Sequence, residues 1–110
     1  MATLVAVAMM AVLLTITVAC AYLGSAVIAR HRAQAAADLA ALAAAGSLAR
    51  GATVACAHAV AVAEAMRTAV ADCSVAGLDA IVAVDVRVAL GRLRIGTAHA
   101  VARAGPSTHG

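Results

Sequence analysis

Few residues in this chain have side chains suited to chemistry. Cysteine stands at 20, 56 and 73, and histidine at 31, 58, 99 and 109. The carboxylates are Asp38, Glu64, Asp72, Asp79 and Asp85. There is no Cys-x-x-Cys and no pair of histidines at metal-ligand spacing, and Cys56 and His58 stand too far from further ligands to make a zinc set. No metal and no cofactor is expected. The carboxylates show no paired arrangement for acid–base work. Gly-x-Ser-x-Gly, a P-loop and a dinucleotide fingerprint are all absent from the sequence. Catalytic residues are therefore not expected, nor is a small-molecule substrate.

One reaction does fit: a disulfide between Cys56 and Cys73. These cysteines flank a predicted helix, and in an exported domain they would join its start to the strand that follows. Closing a loop of this size contributes roughly 3 kcal/mol in the chain-entropy view. In a reducing compartment the same two residues would be small buried thiols.

The elements that must position these cysteines follow from composition and pattern. The 110 residues are 65% hydrophobic and 12% charged, against roughly half and a quarter in a soluble domain. About a third are alanine, and the only aromatic residue is Tyr22. The eight basic residues are all arginine and are scattered, giving a formal charge of +3. With no aromatic platform for bases, no nucleic acid is expected as a partner.

Met1 to Ala29 carries no charged side chain. A bilayer core needs roughly 20 apolar helical residues, so this segment is long enough to span. Tyr22 near its end and Arg30-His31-Arg32 just after it suit the membrane interface. Residues 1–29 are read as a single-pass transmembrane anchor. A cleaved signal peptide, with small residues at Ala19-Cys20-Ala21, and a lipoprotein signal using Cys20 are the competing readings, and neither has a basic n-region before it. Orientation is divided. Arg30 and Arg32 favour a cytoplasmic C-terminal part, whereas a disulfide favours an exported one.

Residues 30–50 read as an alanine-rich juxtamembrane helix continuous with the anchor. Arg30, Gln34 and Asp38 share a face, with Gln34 and Asp38 at hydrogen-bonding spacing. Glycines at 46 and 51 mark a break. A second helix is predicted from Thr53 to about Ala71, capped by Ser47 or Thr53 and carrying a Glu64–Arg67 pair. Beyond it the period changes to two. Val82, Val84, Val86, Val88 and Leu90 line one face of a strand. A Gly91-Arg92 turn would pair Leu90 with Leu93, Val88 with Ile95, Val86 with Thr97 and Val84 with His99. Gly77-Leu78 would turn a short strand, Cys73 to Ala76, into this one. The expected fold is α+β and membrane-anchored: a transmembrane helix running into an alanine-rich helix, a second helix, then a small antiparallel β-meander packed on that second helix. Residues 51–103 form the small α+β domain and 104–110 a flexible tail.

The stretch Tyr22-Leu23-Gly24-Ser25-Ala26-Val27 through Ala45, with its core of Gln34, Asp38, Leu39, Ala40 and Ala41, resembles the TadE/TadG-like pilus-assembly family. It is most similar to the small TadE-like proteins of actinobacteria. Cys56, Cys73, the Gly77-Leu78-Asp79 turn and the Arg103-Ala104-Gly105-Pro106 ending resemble the small members as well. The resemblance implies a non-enzymatic, pseudopilin-like component of a tight-adherence (Flp) pilus or a related secretion system. Its implied partners are the lipid bilayer and the membrane proteins of the pilus or secretion apparatus. The implied location is the cell membrane, with the C-terminal domain extracytoplasmic. The alternative is a small secreted protein released after cleavage of the apolar segment.

Overall fold

The computed structural model describes residues 1–90 and 93–106. A single helix, α1, runs over Ala2–Gly46. Its 45 residues correspond to about 68 Å at the usual rise, which accounts for most of the molecule's 74 Å long axis. The chain gives this helix no reason to stop. It contains no proline, and alanine and leucine dominate.

The two halves of α1 have different surroundings. Up to Gly24 every residue is exposed. Beyond that, Ala29, Ala33, Ala36, Ala37, Ala40, Ala41 and Ala44 are buried. Their spacing of three and four lays a stripe of methyl groups along one side. With no side chain larger than methyl in that stripe, neighbouring backbones can approach closely.

After α1 the chain makes one 3-10 turn, Leu48–Arg50, and Gly51 takes a φ of +105°. That left-handed backbone angle is readily adopted by glycine and rarely by other residues. Helix α2 covers Ala52–Ala65 and turns Ala55, Ala59 and Ala63 inward. Its N-cap is Gly51, with no side-chain cap, so neither Ser47 nor Thr53 serves as expected. The helix also ends earlier than predicted. Arg67 adopts a φ of +59°, and the amide and hydroxyl of Thr68 both donate to Ala63 O at 2.9 Å. Together with the Met66 amide, which also donates to Ala63 O at 3.1 Å, they close the helix in the way that accompanies a left-handed C′ residue. The expected Glu64–Arg67 pair is not among the ion pairs of the described residues, because this backbone reversal falls on Arg67 itself.

Three strands follow: β1 Ala69–Ala76, β2 Asp79–Leu90 and β3 Leu93–Ala104. They form an antiparallel sheet in the order β1-β2-β3. β1 is longer than the Cys73–Ala76 segment read from the sequence. Gly77 and Leu78 form its turn into β2, with Gly77 at a φ of +63°. A glycine in the first central position suits a two-residue hairpin. The expected Gly91-Arg92 turn lies outside the described residues, as do positions 107–110 of the expected tail. Ala104, assigned to that tail, is instead the last residue of β3.

The β2–β3 register begins as expected, with Leu90 opposite Leu93, and then departs from it. Ala89 pairs with Arg94 but Val88 pairs with Gly96, so Ile95 is an extra residue. Val86, Val84 and Val82 therefore face Ala98, Ala100 and Ala102, in place of the expected Thr97 and His99. A one-residue slip moves every later side chain to the opposite face. Here it puts three methyl groups inward and sends Thr97 and His99 out to solvent, avoiding the burial of an imidazole.

The sheet does not rest mainly on α2 as expected. β2 and β3 lie on the alanine stripe of α1, while α2 packs on α1 and borders β1. Among the described residues the buried core cluster is alanine and valine, and its largest fully buried side chains are Val82 and Val84.

Candidate functional site: a bare helix and the head it carries

Between Ala2 and Gly24, every residue of α1 is exposed. Leu4, Leu14 and Leu23 are 71%, 66% and 63% exposed. These 23 positions extend about 35 Å, against a hydrocarbon core of about 30 Å. This is a helix long and apolar enough to cross a membrane. Its two mid-span hydroxyls are satisfied internally. Thr15 Oγ1 donates to Ala11 O at 2.8 Å and Thr17 Oγ1 to Leu13 O at 2.9 Å. Hydroxyls that return to the backbone four residues earlier expose no unpaired donor to lipid.

Burial begins at Ser25 and Ala26. Just beyond come Arg30, His31 and Arg32, all exposed. Tyr22 is half exposed, two turns before this charged group. The point where the apolar surface ends is thus also where the sheet begins to cover the helix. Next on α1, Gln34 Nε2 donates to Asp38 Oδ1 at 3.1 Å. Leu39 and Leu42 remain exposed outside the alanine stripe. Asp38 and Leu42 line a shallow cleft against Ala102, Arg103 and Ala104 of β3.

In the head, Cys56 Sγ and Cys73 Sγ are bonded, with their Cα atoms 5.9 Å apart. The bond ties the second turn of α2 to the middle of β1, across a sequence separation of 17. It joins α2, whose buried residues are all alanine, to β1, whose half-buried residues are Val70, Cys73 and Val75. Cys20 is free and exposed on the bare part of α1.

The outer face of the sheet carries two polar pairs that sequence reasoning missed. His99 Nδ1 lies 2.5 Å from Asp85 Oδ1. Arg103 Nε donates to Asp79 Oδ2 at 2.8 Å, and its Nη2 reaches the same carboxylate. The visible signal was the alternation in β2, which turns Asp79 and Asp85 outward. What it lacked was the register of β3. His58 is exposed on α2. Among the described residues no three His, Cys, Asp or Glu side chains gather closely enough to hold a metal. Nor, among them, does any buried side-chain polar atom lack a hydrogen-bond partner.

A helix long and apolar enough to cross a membrane, carrying a disulfide-tied α+β head, fits a membrane-anchored protein. The Tad family model, Flp pilus-assembly TadE/G-like, matches residues 1–47. The matched segment is α1 with the residues flanking it, so over this helix the chain is similar to the Flp pilus-assembly TadE/G-like family. No curated protein and no solved structure matches the chain.

Proposed function

We propose that the chain is a non-enzymatic, pseudopilin-like component of an Flp-type pilus-assembly or related secretion apparatus. Residues 1–29 hold it in the cell membrane, residues 30–50 form a stalk, and the 51–103 domain projects on the extracytoplasmic side. The observation that carries this reading is the Cys56–Cys73 disulfide in a head set directly on a bare apolar helix. Disulfides persist in oxidising compartments outside the cytoplasm. Arg30 and Arg32 would by themselves favour the opposite orientation. A covalent link that the cytosol would reduce is the weightier argument. The TadE/G-like match over α1 supports pilus-apparatus membrane proteins as partners.

The test is a topology and partner experiment on the full chain in cells. Carbonate-washed membranes should retain it, and a membrane-impermeant maleimide should label Cys56 and Cys73 only after reduction from outside. Crosslinking should recover membrane proteins of the secretion platform. Labelling of free thiols solely after the cytoplasmic membrane is breached would reverse the topology. A form in the medium lacking the apolar segment would establish the secreted alternative instead.

A further inference from the structure

Arg32 of α1 and Arg87 of β2 are distant in sequence but line one cleft of about 240 Å³, together with Ser25, Ala29, Val86 and Val88. Beside it, Arg30 and His31 line a second cleft with Val27 and Gln34. Neither cleft has a carboxylate among its described lining residues. The two carboxylates on the outer face of β2 are engaged elsewhere, Asp85 with His99 and Asp79 with Arg103. Both clefts sit where α1 passes from bare to covered. The end of the sheet that reaches this level is the β2–β3 end.

We infer that this group of arginines is a binding surface for anionic phospholipid head groups, which seats the β2–β3 end of the sheet on the membrane surface. A guanidinium pairs with phosphate through two parallel N–H donors and is weakly hydrated enough to do so at an interface. Basic residues beside a membrane span gain most from lipids of net negative charge. The inference rests on the membrane-anchor reading above. It adds that the head binds the bilayer and is not held clear of it.

The test uses the full chain reconstituted in phosphatidylglycerol–phosphatidylcholine bilayers, released into detergent and weighed intact with its retained lipids. The native chain should retain phosphatidylglycerol over phosphatidylcholine by on the order of tenfold. The double variant Arg32→Gln/Arg87→Gln should lose most of that preference, and Arg32→Lys/Arg87→Lys should keep a good part of it. Arg50→Gln/Arg103→Gln removes the same charge away from the clefts and should leave it intact. Equal retention of the two lipids by the native chain overturns the inference, and so does an equal loss in both Gln pairs. A chain that carbonate strips from vesicles defeats the anchor reading and this inference together. One that stays in the bilayer without lipid preference defeats only the inference. Protection of the Cys56 and Cys73 thiols in every variant confirms that each is folded.

Discussion

Gly105 shows how closely single residues are fitted at the end of the sheet. A Cβ there would lie 3.0 Å from Asp79 Cα and collide with the Asp79 carboxylate. That carboxylate already holds Arg103. Gly105→Ala should therefore displace Asp79 and destabilise the head by about 1–2 kcal/mol, read as a lower Tm in detergent by circular dichroism. The surface ion pair itself contributes little, so Arg103→Ala should cost less than Gly105→Ala. The disulfide matters more to stability. With an alanine–valine core and no aromatic group inside, Cys73→Ser should lower head stability by about 3 kcal/mol, measured by urea unfolding. Residues of this kind were unevenly legible in the sequence. The cysteines could be paired because only two flank one helix. The His99–Asp85 and Arg103–Asp79 contacts depend on a register that a bulge at Ile95 resets, and no local residue type announces that bulge.

Among the elements, α1 and β2 were the easiest to read. An uncharged, proline-free run of alanine and leucine has little alternative to a helix, and valine at every second position from 82 to 88 has little alternative to a strand. The end of α2 was harder, because Arg67 takes a left-handed conformation for which glycine is the usual sign. Hardest of all was which helix supports the sheet. In a helix that is alanine on nearly every side, periodicity names no buried face. The choice falls to close approach, which only the assembled backbones reveal. This makes a clear prediction at the stripe. Ala40 is fully buried, so Ala40→Leu should force α1 and the elements packed on it apart and cost about 1–3 kcal/mol. The same change at Ala35, which is exposed, should be nearly neutral. Paired thermal melts of the two variants check this.

For the whole molecule, the division of α1 into bare and covered lengths explains the composition. The excess of apolar residues is not one large core. Part of it is outward-facing surface on residues 2–24, and part is methyl-lined contact between α1, α2 and the sheet. Leu13→Arg places a charge near the middle of the bare length. It should hinder insertion by about 2.5–3.5 kcal/mol on translocon scales, seen as loss of the chain from carbonate-washed membranes. The head should still form its disulfide if it reaches an oxidising compartment, because none of its buried residues lies before Ala29.

The continuity of α1 has a mechanical consequence. The helix that would cross the bilayer is also the backbone on which the sheet is built, with no linker between the two. The head is therefore one arm of a lever whose fulcrum lies near Ser25. From there to Gly46 the helix rises about 30 Å, so each 10° of tilt in the lipid would swing its far end by roughly 5 Å. A pull on the head would in turn be felt as torque on the anchor. Arginines gripping the surface at the fulcrum would set how far the arm can travel.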